Sequence, residues 1–203
     1  MDLRQIKQYF TPRTILDIGA NVGQFHKLAK QEFPDSFVFS IEASEECEEE
    51  LSKVTKDYYI GLLTKDSEEY DFYTRKGDEK STGSSIYKEL TPFFSDESLK
   101  VVKKKGVRLD DLFTSDTYFD LIKIDTQGSE LDIISGGLDL CRKSSGILLE
   151  VSLVPYNENS PLYEDVLDFM QKINYIPICE IGYGHHPITR ELIQKDILFL
   201  KSI

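Results

Sequence analysis

The chain has 203 residues, of which 40% are hydrophobic and 30% are charged, and this composition excludes wholesale disorder and collagen-like or low-complexity classes. Acidic residues outnumber basic residues by 36 to 24, which gives a formal net charge of −12 at pH 7. Because phosphate binding needs clustered Lys and Arg, this charge argues against nucleic acid and anionic membranes as partners.

The cysteines and the first residues of the chain indicate the cellular compartment. Cys47, Cys141 and Cys179 are widely spaced and form no CxxC pair, so we expect neither a zinc site nor a disulfide framework. The first residues carry no apolar secretory segment, and no apolar run approaches the ~20 residues of a membrane span. The sequence therefore predicts a soluble, cytoplasmic protein with no membrane partner, and it leaves the oligomeric state open.

Apolar runs of strand length alternate with helical patterns along the chain. The predicted strands are residues 13–18, 37–41, 58–63, 70–74, 120–125, 146–151, 175–179 and 196–200. The predicted helices are residues 22–33, a helix that begins after Ser44, and residues 129–134 and 161–173. This alternation predicts an α/β fold with a doubly wound, mostly parallel sheet. The last two strands have no long helix between them, which favours an antiparallel hairpin. We predict a single domain over residues 1–203, with an insertion at about 64–109.

The most informative local pattern is LDIGANVG at residues 16–23. An apolar strand ends in Asp17, turns through Gly19, Ala20, Asn21 and Gly23, and enters a helix. In a doubly wound sheet such a turn lies at the carboxyl end of the first strand, where ligands bind. The pattern is neither the dinucleotide GxGxxG nor a P-loop. The alternative is a strand-to-helix turn that requires glycine for its backbone alone.

A second acid, Glu42, ends the second predicted strand, about 20 residues after the glycine turn. An acid at this spacing is the usual partner of two vicinal ribose hydroxyls, because its oxygens accept both hydroxyl hydrogens. The alternative is an acid that stabilises the amino terminus of the following helix.

These motifs carry a resemblance to a known family. LDIGANVG and the later IEAS at residues 41–44 resemble the first two motifs of class I S-adenosyl-L-methionine-dependent methyltransferases. DLIKIDTQGSELDIISGG at residues 120–137 resembles the signature of the FkbM methyltransferase family. VRLDDL at 107–112, LLEV at 148–151 and SSIY at 84–87 are similar to the same family. The resemblance runs from about Thr14 to Leu200.

The resemblance implies a seven-stranded, Rossmann-like sheet and methyl transfer from S-adenosyl-L-methionine, commonly to a hydroxyl of a small molecule or carbohydrate. By position, the turn from Asp17 to Gly23 would line the methionine end of the cofactor. Glu42 would hold the ribose, and Ser84 and Ser85 would close over the pocket. Asp125 would lie beside the sulfonium and the acceptor.

The residues around Asp125 suggest acid–base chemistry independently of the family resemblance. Asp125, Glu130 and Glu150 lie at or just past strand ends, on one predicted edge of the sheet. Converging carboxylates raise one another's pKa, and such a carboxylate suits a general base. We therefore predict Asp125 as the base and Glu150 as the next candidate. The same carboxylates are also suited to a divalent cation, and Glu130 is equally well explained as a helix-dipole acid.

Two histidines, His185 and His186, fall between the last two predicted strands. A histidine here is suited to accept a hydroxyl proton near pH 7, and His185 is our third catalytic candidate. A surface turn with no catalytic role is the competing interpretation. Four lysines in residues 100–105 are interpreted as a solvated face.

Several functions remain open from sequence. A methyltransferase of this kind is also able to act on nitrogen or on a protein acceptor. A dinucleotide oxidoreductase shares the turn and the acid but lacks GxGxxG. A protein that binds S-adenosyl-L-methionine without catalysis would keep the same fold.

Overall fold

The structure, a computed structural model, describes residues 1–78 and 80–202. It contains ten strands: β1 (Thr14–Ile18), β2 (Phe37–Glu42), β3 (Tyr58–Ile60), β4 (Leu62–Leu63), β5 (Glu69–Arg75), β6 (Leu99–Val107), β7 (Leu121–Ile124), β8 (Gly146–Ser152), β9 (Tyr175–His185) and β10 (Leu192–Lys201). The α-helices are α1 (Gln24–Glu32), α2 (Glu48–Ser52), α3 (Leu109–Leu112), α4 (Glu130–Gly136), α5 (Leu138–Cys141) and α6 (Tyr163–Lys172). Short 3-10 helices occupy Leu3–Gln8, Glu45–Cys47 and Pro92–Phe94.

Seven strands form the main sheet in the order β3-β2-β1-β7-β8-β10-β9. The first five are parallel, whereas β10 pairs antiparallel with both β8 and β9. The predicted doubly wound sheet of seven strands with a terminal antiparallel hairpin is confirmed. Strands β4, β6 and β5 form a second, three-stranded sheet.

The two faces of the main sheet bury separate apolar clusters. Leu16 and Ile122 contribute to the cluster beneath α4 and α6, and Ile15 and Leu121 contribute to the cluster beneath α1. Successive side chains of a strand point to opposite faces of the sheet. Because both faces are covered, β1 and β7 need apolar residues on both faces. Each fully buried aliphatic side chain contributes roughly 1.5–3 kcal/mol, which fixes the register of the two central strands.

Three predicted elements differ from the structure. The run 58–63 is broken at Gly61, so that β3 joins the main sheet and β4 joins the small one. The lysine-rich run is a strand, β6, whose pairing with β5 leaves alternate lysines exposed to solvent. The final hairpin is longer than predicted. Gly182 and Gly184 lie within β9, and a Cβ at Gly182 would overlap the Asp196 carboxylate on β10.

Residues of the predicted insertion, 64–109, supply β5, β6 and a wall of the cleft described below. The interpretation of the whole chain as one domain stays a prediction. Among the residues that the structure describes, no helix combines the length and the apolar character needed to cross a membrane.

Candidate active site

A cleft opens at the carboxyl ends of β1, β2 and β7, between the main sheet and the 81–86 segment. It is lined by Ile18, Gly19, Asn21, Ile41, Glu42, Ala43, Gly61, Leu62, Leu63, Phe72, Ser81, Thr82, Ser84, Ser85, Ile86, Asp125, Thr126, Gln127, Ser129 and Ile133. Six residues predicted for the site from sequence meet here: Gly19, Asn21, Glu42, Ser84, Ser85 and Asp125. This is the edge of a doubly wound sheet at which ligands bind.

The glycine turn brings the chain close to the end of β7. Gly19 has a φ of +78°, and a Cβ there would overlap the backbone oxygen of Asp125. Gly23, with a φ of +86°, packs against Val54. Both positions therefore require glycine, for backbone conformation and for space. The amide of Asp125 donates to the carbonyl of Ile18 over 3.1 Å, which joins the two strand ends.

A buried lysine, which the sequence analysis did not identify, lies behind the cleft. The Nζ of Lys123 is 3.4 Å from Oδ1 of Asp17 and 3.4 Å from Oδ2 of Asp125. It also donates to the carbonyl of Gly19 over 3.2 Å. Lys123 is 2% exposed and Asp17 is fully buried. The signal available in the sequence was a lysine inside the apolar run LIKI, since a buried charge is costly unless it is paired.

Burial and the neighbouring charges shift the pKa values of Asp17 and Lys123 in opposite directions. Burial raises the pKa of Asp17, and the neighbouring ammonium of Lys123 offsets part of that rise. For Lys123, burial lowers the pKa, but the carboxylates of Asp125, Asp17 and Glu150 outweigh it and leave the pKa raised. Within the described residues, neither carboxylate oxygen of Asp17 accepts a well-oriented hydrogen bond. The ion pair with Lys123 is therefore the main compensation for burying this acid.

Glu42 is buried at the end of β2 and holds the turns around it. Its Oε2 accepts the amide of Asn21 at 2.7 Å, and its Oε1 accepts the amide of Ser44 at 2.8 Å. Burial raises the pKa of Glu42, and the backbone amides counteract that rise. Each carboxylate oxygen keeps a further lone pair, so the geometry leaves room for hydroxyl donors from the cleft.

A carboxylate cluster extends from Asp125 towards the terminal hairpin. Glu150 accepts the side-chain amides of Gln127 at 2.6 Å and of Gln194 at 2.9 Å, and it pairs in register with Asp196. Burial, together with the nearby acids Asp125, Glu130 and Asp196, raises the pKa of Glu150 well above its usual range. Burial and then Asp125 raise the pKa of Asp196 to about 6. Asp196 joins this cluster only through the antiparallel hairpin, so local sequence did not reveal it.

Glu130 is not part of the cleft lining and shapes the loop before α4. Its Oε1 accepts the amides of Thr126 at 2.9 Å and of Gly128 at 3.2 Å. Burial raises the pKa of Glu130 to about 7 despite these bonds. The geometry assigns this acid to the loop that carries Asp125.

The 81–86 segment covers the cleft. The Ser85 hydroxyl donates to the carbonyl of Thr126 over 2.9 Å, and the Ser84 hydroxyl donates to the Thr74 hydroxyl over 3.0 Å. The open space beneath the segment is about 60 Å³, small beside the ~300–1,000 Å³ of typical small-molecule sites. A nucleoside ligand needs more space than this.

The histidines lie elsewhere. His185 is exposed at the end of β9, where it pairs in register with Leu192, and it is not part of the cleft lining. His186 packs edge-on against Tyr156. The structure therefore does not bring His185 together with Asp125. Among the described residues, no group of three or more His, Cys, Asp or Glu is arranged to hold a metal ion.

Comparison with known proteins decides the family. The sequence profile of the methyltransferase FkbM domain matches residues 17–177. The chain belongs to the FkbM methyltransferase family. The match contains the glycine turn, the KIDTQGSE segment and the strand β8, and it confirms the resemblance drawn from the sequence.

Solved structures show the same fold. A methyltransferase FkbM from Methylobacillus flagellatus KT superposes with a TM-score of 0.54 at 18% identity, over 93% of this chain and 43% of that protein. Magnesium protoporphyrin IX methyltransferase from Synechocystis PCC 6803, solved with bound S-adenosyl-L-methionine, gives 0.53 at 10% identity over 98% and 74%. A TehB-like methyltransferase from Corynebacterium glutamicum gives 0.53 at 10% identity over 98% and 86%. A comparison with curated proteins gives no match. The chain spans less than half the length of the first of these structures.

Proposed function

We propose that this FkbM methyltransferase transfers the methyl group of S-adenosyl-L-methionine to a hydroxyl of a small molecule or carbohydrate. The observation that carries the proposal is the Asp125 carboxylate at the edge of the cleft, beside the glycine turn and next to an ammonium group 3.4 Å away. The net charge of −12 supports an acceptor other than nucleic acid.

The residues of the cleft suit the cofactor. Gly19 and Asn21 line the cleft, and Glu42 presents a buried carboxylate at the end of β2. Gly19, Ala20 and Asn21 would hold the amino-acid end, and Glu42 would hold the ribose hydroxyls. When bound, S-adenosyl-L-methionine supplies an electrophilic methyl group on a sulfonium.

The protein aligns the acceptor and removes its proton. The acceptor oxygen would take the methyl group from the donor, and the electron pair of the broken carbon–sulfur bond would stay on sulfur. The acceptor proton passes to the carboxylate of Asp125. The ammonium of Lys123 lies 3.4 Å from Oδ2 of Asp125, and the side-chain amide of Gln127, 3.5 Å from Oδ1 of Asp125, connects it to Glu150. Glu150 is the alternative base.

Two measurements test the proposal. Calorimetry with S-adenosylhomocysteine and NAD separates a methyltransferase site from a dinucleotide site, and we expect binding of the first alone. Incubation with methyl-labelled donor and separate alcohol, phenol, methyl glycoside and alkylamine acceptors then identifies the methylated atom by mass spectrometry. Binding of NAD but not S-adenosylhomocysteine, or methylation of the amine alone, would contradict the proposal.

A further inference from the structure

Glu150 lies beside Asp125 at the carboxyl edge of the main sheet but is not part of the cleft lining. Ile124 and Leu149 are register partners on the parallel strands β7 and β8, so the two acids that follow them are level with each other. Neighbouring parallel strands are about 4.8 Å apart, which brings the two carboxylates side by side. If Asp125 is the base, Glu150 is free for a different role in the same reaction.

Two side-chain amides hold one oxygen of Glu150 and leave the other free. Its Oε2 accepts Nε2 of Gln127 at 2.6 Å and Nε2 of Gln194 at 2.9 Å. The Nε2 atom of Gln127 also lies 3.5 Å from Oδ1 of Asp125, so a single amide nitrogen reaches both carboxylates. Within the described residues, Oε1 of Glu150 accepts no hydrogen bond, and it is not sealed from solvent. That oxygen is therefore available to a bound ligand.

The backbone on either side makes room for these amides. Gln127 has a φ of +56°, a conformation that is uncommon for a residue with a side chain. Gln194 is 7% exposed on β10, and a Cβ at Gly184 of β9 would lie 3.0 Å from both its Cβ and its Oε1. The terminal hairpin thus accommodates the Gln194 side chain on the face of the sheet that carries Glu150.

We propose that Glu150 determines acceptor specificity by binding a second hydroxyl of the methyl acceptor, on the carbon next to the hydroxyl that is methylated. The inference rests on the proposed methyl transfer and narrows its acceptor to a vicinal diol. Asp125 would take the proton of one hydroxyl, and Oε1 of Glu150 would accept a hydrogen bond from the other. Hydroxyls on adjacent carbons suit this task, because one nitrogen of Gln127 already spans the two carboxylates. Gln127 and Gln194 are then positioning residues, which act through Glu150.

The charges around Glu150 favour a hydroxyl over an ammonium as this second group. Burial and the nearby acids Asp125, Glu130 and Asp196 raise the pKa of Glu150 well above its usual range, and Lys123 offsets part of that rise. A hydroxyl both donates and accepts hydrogen bonds, so it pairs with either protonation state of Glu150. An ammonium only donates, and it needs the carboxylate form. The favoured acceptor is therefore a neutral diol.

Side-chain amide NMR on the full chain, saturated with S-adenosylhomocysteine, tests this site with cis-cyclopentane-1,2-diol as the probe. The amide signals of Gln127 and Gln194 report on Glu150, and that of Gln171, exposed on α6, is the reference. We expect the diol to shift the first two signals saturably and to leave Gln171 unchanged. Cyclopentanol should bind about tenfold more weakly, a difference of ~1.4 kcal/mol. The 1,3-diol, whose hydroxyls are not adjacent, should resemble cyclopentanol.

Three variants separate recognition from folding. Glu150→Met keeps the length of the side chain and removes both oxygens, so the preference for the diol over cyclopentanol should disappear. Gln194→Met removes one donor to Oε2, so the preference should fall about threefold while cyclopentanol affinity stays the same. A purely structural effect would instead lower both affinities together. Gln171→Met is the matched control and should keep the full preference. S-adenosylhomocysteine affinity should be unchanged in all three, which shows that they fold.

Three outcomes would overturn the inference. One is equal affinity for the diol and cyclopentanol, including the absence of a saturable shift with either. Another is tighter binding of cis-2-aminocyclopentanol than of the diol, because Glu150 would then select a cation. The third is an undiminished preference for the diol in Glu150→Met. Failure of S-adenosylhomocysteine to bind at all would instead remove the proposed function, and the inference with it.

Discussion

Lys123 and Asp17 form a buried ion pair between the central strands, with Nζ 3.4 Å from Oδ1 and both side chains almost completely removed from solvent. They are register partners on β7 and β1. The pair places a positive charge directly behind the carboxylate of Asp125. The acid of the glycine turn is therefore linked to the acid at the end of β7 through one ammonium group.

Removing that ammonium should destabilise the fold. Lys123→Met leaves Asp17 buried without compensation, and we expect the free energy of unfolding to fall by about 3–5 kcal/mol. The double variant Asp17→Asn/Lys123→Met should recover much of the loss. Chemical denaturation measures both. Lys103→Met, which breaks the exposed pair with Asp71, is the control and should cost less than about 1 kcal/mol. Equal losses in the two single lysine variants would contradict the assigned role of Lys123.

The carboxylate of Asp125 should matter for turnover more than for donor binding. Asp125→Asn keeps the size and removes the charge, so we expect single-turnover methylation to slow about 10²–10⁴-fold. The affinity for S-adenosylhomocysteine, measured by calorimetry, should change far less. His185→Ala, at the exposed end of β9, should retain near-normal turnover. If Asp125→Asn remains active, Glu150→Gln identifies whether the neighbouring carboxylate is the base.

Glu42 should affect both the cofactor and the turn that holds it. The two oxygens of Glu42 accept the backbone amides of Asn21 and Ser44. In Glu42→Gln the side-chain NH₂ replaces one of these oxygens, so one of the two backbone amides loses its acceptor. We expect S-adenosylhomocysteine binding to weaken by about 1–3 kcal/mol, with a lower melting temperature. Glu45→Gln, three residues further on and exposed, is the matched control. Unchanged binding in Glu42→Gln would place the ribose elsewhere.

Amide exchange in the segment that covers the cleft should slow when the cofactor binds. We expect amides of the 77–85 segment, of which Glu79 lies outside the described residues, to exchange rapidly in the free protein and slowly with S-adenosylhomocysteine. Ser85→Ala removes the hydroxyl that holds the segment to Thr126, so it should speed exchange in the complex. Hydrogen exchange with mass detection measures both. Slow exchange in the free protein that S-adenosylhomocysteine leaves unchanged would refute this expectation.

Glu130 should make stability depend on pH. Its folded pKa of about 7 lies above the unfolded value near 4.5, so the folded state binds the proton more tightly. The stability contributed by protonated Glu130 is present below pH 4.5 and is lost as pH rises to about 7. Relative to wild type, Glu130→Gln should therefore gain stability between pH 5 and 8. Denaturation at several pH values measures this difference, and Glu164→Gln, in the exposed first turn of α6, is the control for the same chemical change.

The sequence by itself determined the fold and predicted six of the residues that line the cleft. Alternating apolar runs predicted the order of strands and helices, because burial on both faces of a sheet imposes that pattern. The glycine turn and Glu42 could be predicted because each depends on local backbone conformation or on spacing along the sequence.

The tertiary structure decided the rest. Asp196 lies beside Glu150 only through the antiparallel pairing of β10 with β8, and His185 is carried away from the cleft by the unpredicted length of β9. Lys123 pairs with Asp125, just after the end of its own strand, and with Asp17 on the neighbouring strand, 106 residues earlier in the chain. Such relationships depend on which strands lie side by side, and no local pattern contains that information.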